Sequence, residues 1–225
     1  MSIFAIKNVP AVGWSSSHPY NIRPHPTTVF WLALGLFLFG AGETLLIAAG
    51  IGVSPWTVLA QGIAVSFDIG IGAATFVVSL GVLLLWLPLR QRPGIGTLCN
   101  VLIISTTIGF LLPYIPAPES YWARVLEVCL GTLIVGLGSG IYLVANLGAG
   151  PRDGLMTGLQ SLTGSPIAWV RASIEVGAIA CGWMLGGTVG VGTVMFAIGI
   201  GPAVSASLYL TAYSASAGKE APNNE

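Results

Sequence analysis

Charge is what this sequence has least of. Asp, Glu, Lys and Arg make up 7% of its 225 residues, against roughly 25% in an average soluble domain. A soluble fold of this length could not cover its surface with so few charges, so the shortage excludes the soluble classes and points to an integral membrane protein. Basic and acidic residues balance at 8 each, which gives a nucleic-acid partner no electrostatic footing. Histidine is scarce too: His18 and His25 both fall in the N-terminal tail, so no intramembrane imidazole can act as base or ligand. The three cysteines, Cys99, Cys129 and Cys181, are odd in number, far apart and set in apolar runs, with no CxxC spacing. They read as small fillers, with no disulfide and no metal. HExxH, G-x-S-x-G, a Walker loop with lysine and a strand-GxGxxG-helix unit are all missing, so neither an enzyme nor a cofactor is expected.

What the chain does have is apolar length and glycine. A span needs about 20 residues to cross ~30 Å of hydrocarbon. Six runs qualify: 28–49, 70–89, 96–114, 123–146, 167–186 and 191–213. Two more, 56–66 and 152–162, are too short to cross and each follows a Gly-Pro-type turn. They read as half-helices packed against protein. The 31 glycines suit close helix packing, because lipid supplies no hydrophobic drive for helices to associate. Residues 1–27 read as a mobile cytoplasmic tail, and 214–225 as a second one. Trp31, Tyr114, Tyr121 and Trp122 fit interfacial belts.

The strongest signal is an internal repeat. At a constant offset of 96 residues, Gly35, Gly40, Gly42, Gly52, Gly62, Gly81, Gly94 and Gly96 fall on Gly131, Gly136, Gly138, Gly148, Gly158, Gly177, Gly190 and Gly192. Pro55 falls on Pro151, and "GIGT" (94–97) on "GVGT" (190–193). Eight glycines in one ungapped register indicate a duplication. The unit is a span, a Gly-Pro turn with a half-helix, and two more spans. Three crossings are odd in number, so the second copy is expected upside down. The expected fold is all-α: six transmembrane helices in two inverted three-helix repeats, 28–118 and 119–213.

Charge placement agrees with that topology. With both termini inside, Lys7, Arg23, Arg90, Arg92, Arg152, Arg171 and Lys219 are cytoplasmic and only Arg124 is external, seven against one. This predicts a multi-pass protein of the cytoplasmic membrane. The second turn, "GPRD", carries charges that the first, "SPWT", lacks, and sidedness accounts for part of that difference.

The strings "NLGAGPRDGL", "TGSPIAWVR" and "GTVGVGT", with the echoing "GIGVSPWTVL" and "RPGIGTLCN", resemble the bacterial YczE/YyaS/YitT-like group of membrane proteins. The likeness covers about residues 30–210. It implies a multi-span bacterial inner-membrane protein, and brings no substrate and no catalytic residues.

Several residues stand out as site candidates. Gly52 with Pro55, and Gly148 with Pro151, open the half-helices, whose first N–H groups and positive dipole ends can hold an anion or can simply be hydrated turns. Arg152 is a topology determinant and a candidate substrate contact, and Asp153 suits a helix start. Arg171 and Glu175 are spaced for pairing along one helix face, as a structural pair or a gate. Glu43, an ionisable group inside the first span, is a candidate proton-coupling carboxylate or a solvated interfacial group. The reading is a transporter of a small solute, anionic if the half-helix ends hold it. The alternative is a scaffold or accessory subunit in a larger complex. The bilayer is the one named partner, and assembly with further copies of the chain stays open.

Overall fold

A computed structural model describes the backbone of residues 9–217 and the side chains of residues 9–213. The described chain is all helical. Its elements are α1 (Pro26–Ala49), α2 (Pro55–Phe67), α3 (Ile71–Leu85), α4 (Ile95–Leu111, extended by a 3-10 turn, Leu112–Tyr114), α5 (Tyr121–Ala145), α6 (Pro151–Thr163), α7 (Ile167–Met184) and α8 (Val191–Ala217). Five of these, α1, α4 with its turn, α5, α7 and α8, are long and apolar enough to cross a membrane. The count is six if α2 and α3, bent by 115° at their junction, form one span. The outer surface is apolar, with Phe30, Leu84, Phe110, Leu126 and Ile198 exposed, as contact with lipid tails requires.

The local sequence sets the helix ends. Proline sits in the first turn of α1, α2 and α6, where its missing N–H costs nothing and its fixed φ is already helical. Left-handed residues end four segments: Gly50 closes α1, Asp68 α2, Asn146 α5 and Gly164 α6. At 13 residues, α2 and α6 each extend about 20 Å, short of a crossing. The span expected at 70–89 is shorter than that. Helix α3 has 15 residues and gives way at Trp86 to turns ending in Arg90, whose φ is 53°. Pro88 explains the stop, since it cannot donate to the helix and it restricts Leu87.

The duplication is present in the backbone. Helices α2, α3 and α4 start 96 residues before α6, α7 and α8. Every positive φ among the described residues belongs to a pair at the same offset: Gly50 and Asn146 (67° and 51°), Gly52 and Gly148 (115° and 118°), Asp68 and Gly164 (52° and 67°), Arg90 and Gly186 (53° and 97°). Backbone torsion thus carries the repeat even where the residue type does not.

Two apolar clusters organise the packing, and both mix the halves. One joins α1 and α4 to α5 and α8 through Leu32, Leu36, Ile104, Val135 and Phe196. The other joins α2 and α3 to α6 and α7 through Trp56, Ala60, Val82, Trp86, Leu155 and Ala178. Helices α1 and α5 meet backbone to backbone, where a methyl on Gly42 would lie 2.6 Å from the Gly131 carbonyl oxygen.

The described part of the N-terminal tail packs against the ends of α1 and α5. The Ser16 amide donates to the Ala145 carbonyl (3.0 Å) and Asn146 Nδ2 donates to the Ser16 carbonyl (2.9 Å). Thr28 Oγ1 donates to the Trp14 carbonyl (2.6 Å), and Trp14 stacks on Trp31 at 5.6 Å. The left-handed cap at Asn146 leaves a carbonyl and an amide side chain free at the end of α5, and the tail satisfies them. At the other end α8 runs on to Ala217. Lys7, Lys219 and the remainder of the C-terminal tail lie outside the described residues.

Candidate functional site

The two Gly-Pro turns are held by the opposite half of the chain. The Gly96 amide donates to the Leu147 carbonyl (2.7 Å), and the Gly192 amide donates to the Ile51 carbonyl (2.9 Å). These bonds are one contact written twice, because Gly96 and Gly192, and Ile51 and Leu147, are each 96 apart. Thr97 Oγ1 adds a bond to the Ala149 carbonyl (2.7 Å). The repeated GxGT strings are therefore clamps, each closing on the other half's turn. Gly52 and Gly148 must be glycine twice over, for their positive φ and because a methyl would fall 2.7 Å from the Gly190 nitrogen and 2.8 Å from Thr97 Oγ1, respectively. Both act in the backbone, and neither lines the cavity described next.

The clamped turns bring the starts of α2 and α6 to one cavity of about 220 Å³. Pro55, Trp56 and Thr57 reach it from α2, and Pro151, Arg152 and Asp153 from α6. Phe39, Ser139 and Tyr142 line it from α1 and α5, Asn100 from α4, and Arg171 with Glu175 from α7.

Arg152 is the central charge. Its guanidinium carbon lies 5.4 Å from the Trp56 ring centroid and 5.9 Å from that of Phe39. Both distances are within reach of cation–π attraction. The ion pair that forms among the described residues is Arg171–Glu175, and Arg152 has neither an ion pair nor a hydrogen bond there. Five N–H donors are thus held by two aromatic rings and offered to the cavity.

Two carboxyl groups flank it. Asp153 Oδ2 accepts from the Tyr142 hydroxyl (2.8 Å) at the start of α6. Glu43 serves the start of α2: Oε2 accepts from Ser54 Oγ (2.9 Å) and Thr57 Oγ1 (2.7 Å). Glu43 is fully buried, so the interfacial, solvated alternative does not hold for it, and its Oε1 has no partner. Set in register, the halves exchange roles. Glu43 on α1 with Thr57 on α2 corresponds to Ser139 on α5 with Asp153 on α6. Each half thus puts one carboxyl at the start of its half-helix, from opposite members of the pair.

Arg171 Nε meets Glu175 Oε1 at 2.9 Å, with the side chains 53% and 31% exposed. Their counterparts 96 residues earlier, Thr75 and Ser79, line the same cavity from α3, and Thr75 is 7% exposed. The cavity is therefore covered at Thr75 and uncovered at Arg171.

The flanks also differ. Gly182 of α7 packs on the α2 backbone, where a methyl would lie 2.5 Å from the Leu59 nitrogen. At the matching place in the other half the Trp86 indole fills the space over Gly154 of α6 and donates to the Pro151 carbonyl (2.9 Å). Beyond Trp86 lies a second cavity of about 490 Å³, beneath the N-terminal segment and reaching Gly148 and Arg92.

Of the residues singled out from sequence, Pro55, Pro151, Arg152, Asp153, Arg171 and Glu175 converge on the first cavity, and Glu43 sits one hydroxyl behind its wall. Trp56, Phe39, Thr57 and Tyr142 were not singled out. Trp56 had a signal, since it stands 96 residues before Arg152. Phe39 and Tyr142 had none, because an aromatic residue in an apolar run looks like core or interface.

Residues 26–208 match a protein family described as "Family of unknown function (DUF6198)". The chain is 36% identical over 207 residues to an "Uncharacterized protein" of Haemophilus influenzae, covering 92% of this chain and 94% of that one. It is 34% identical over 166 residues to the "Uncharacterized membrane protein YczE" of Bacillus subtilis, covering 73% and 77%. To the "Uncharacterized protein YyaS" of the same organism it is 24% identical over 170 residues, covering 73% and 84%. No solved structure matches. Apolar helices able to span a bilayer, and a match to the DUF6198 family over most of its length, establish that this integral membrane protein belongs to that family.

Proposed function

We propose that the protein carries a small anionic solute across the cytoplasmic membrane, with the cavity at Arg152 as its binding site. The observation that carries this reading is the state of Arg152. It is an arginine inside an apolar bundle, backed by Trp56 and Phe39 and free of any hydrogen-bond acceptor among the described residues. A cation with no bonded acceptor in such a place is costly; the neighbouring carboxyls act on it only through space, and a bound carboxylate or similar anion would supply the missing bonds. Two half-helix starts add N–H groups and positive dipole ends. A volume of about 220 Å³ equals about seven waters at ~30 Å³ each, which suits a small organic anion.

The halves are read as inverted in the bilayer. The exchanged contacts at Gly96–Leu147 and Gly192–Ile51 are what a two-fold axis between them produces, and an axis lying in the membrane plane fits the charge bias. In this reading both termini are cytoplasmic. The unlike flanks then describe one of two alternating states. The α2–α7 side is shut on glycine and the α3–α6 side is propped by Trp86. The solute path opens toward the cytoplasmic start of α7, at Arg171 and Glu175.

The direct test is thermal-shift binding of acetate, benzoate and phosphate to purified protein, beside Arg152→Ala. Stabilisation by at least one of them that Arg152→Ala lacks supports the site. No anion-dependent shift in either protein removes it. A docking role is the second reading. It draws on Gly81 and Gly177, repeat partners with open space where a side chain would be, and a stable hetero-complex unaffected by loss of Arg152 would favour it.

A further inference from the structure

We propose that Glu43 is a proton-binding site linked to the anion site, so that solute and proton are carried together. This rests on the cavity being a solute site. The carboxyl is fully buried; Oε2 takes two hydroxyl donors, and Oε1, equally enclosed, has none. An ionised carboxylate would leave charge on an oxygen with no donor, which is expensive in an apolar interior. A neutral carboxyl fits the same contacts, with Oε2 as the accepting carbonyl and Oε1 carrying the proton.

The surroundings favour a link to the cavity. Thr57 donates to Glu43 and also lines the cavity, so one hydroxyl separates the carboxyl from the solute space. The titratable and charged groups around it are Arg152 and Asp153 on α6, Tyr121, Arg124, Glu127, Cys129 and Tyr142 on α5, Cys99 on α4, and Tyr114 in the turn after α4. The described side chains of α2, α4 and α8 include no Asp, Glu, Lys, Arg or His. None of these groups pairs with Oε1. An anion seated on Arg152 adds negative charge beside Glu43, where a neutral carboxyl is easier to accommodate than a carboxylate. By reciprocity a proton on Glu43 favours the anion. The step is balanced: one proton from solution bonds to Oε1, the carboxylate becomes a neutral acid, and no other bond changes.

The test is infrared spectroscopy of liposome-reconstituted protein, with benzoate as the probe anion. The wild type is expected to show a protonated-carboxyl C=O band that Glu43→Gln lacks, and identical spectra overturn the proposal. Benzoate affinity is expected to fall together with that band as pH rises in the wild type, and to lack this dependence in Glu43→Gln. The same pH dependence in both proteins also overturns it. If benzoate binds to neither protein, the anion reading fails by itself and the infrared band still decides Glu43. Should Glu43→Gln fail to assemble, Thr57→Val removes one donor to Oε2 and is expected to move the carboxyl band; an unmoved band overturns the assignment.

Discussion

Arg152 and Trp56 occupy the same position in the two halves of the chain, and they touch. They lie 96 residues apart, each the second residue of its half-helix, with the guanidinium carbon 5.4 Å from the indole centroid. A duplicated segment would place two identical residues there. Two arginines would repel and two tryptophans would fill the cavity. One of each gives a cation fixed on an aromatic face, with its donors free.

Arg152→Lys should therefore not rescue function. Lysine keeps the charge but loses the planar fork and the stacking. Losing a hydrogen bond from a charged donor of this kind costs about 1.5–3 kcal/mol, so anion affinity is expected to fall about 10- to 150-fold in both Arg152→Lys and Arg152→Ala. Titration calorimetry with the probe anion measures it. Full affinity in the lysine variant would argue for a simple point charge.

The inverted arrangement predicts sidedness. In a background lacking Cys99, Cys129 and Cys181, a cysteine at Asp68 is expected to react with an impermeant maleimide in intact cells, and one at Thr163, at the matching far end of α6, only after the cells are opened. Labelling of both in intact cells, or of neither, would falsify the two-fold.

Trp86 is 3% exposed and bonds the Pro151 carbonyl at 2.9 Å. Trp86→Phe keeps most of the packing and removes the indole's bond to a carbonyl that α6 also uses, at a cost of about 0.5–1.5 kcal/mol. Trp86→Ala also opens a cavity and is expected to cost about 3–5 kcal/mol. Thermal unfolding in detergent should rank wild type above Trp86→Phe and Trp86→Ala lowest. If Trp86 holds α6 away from α3, a cysteine placed at Thr157 becomes less reactive to soluble thiol reagents in Trp86→Ala.

Glycine substitutions offer a matched pair. A methyl at Gly182 would lie 2.5 Å from the Leu59 nitrogen, whereas at Gly81 and Gly177 nothing lies within 4 Å. Gly182→Ala is expected to lower the unfolding temperature by several degrees through forced separation of α2 and α7. Gly81→Ala and Gly177→Ala are expected to leave it unchanged or slightly raised. A harmless Gly182→Ala would show that α2 and α7 are not held so closely.

What the residues determined alone is local or periodic. Scarce charge and long apolar runs required a membrane protein. The Gly-Pro turns set the starts of two short helices at Pro55 and Pro151, because proline and left-handed glycine act on their own stretch of backbone. The offset of 96 foretold matching torsions at Gly52 and Gly148. Tertiary structure decided the meetings: the GxGT clamps on the opposite turns, Phe39 and Trp56 around Arg152, Ser54 and Thr57 on Glu43, and the Ser16 segment on Asn146. Those contacts join residues from 11 to about 140 positions apart. They depend on which helix faces come together in space, and hydropathy along the chain has the same value whichever partner a face finds.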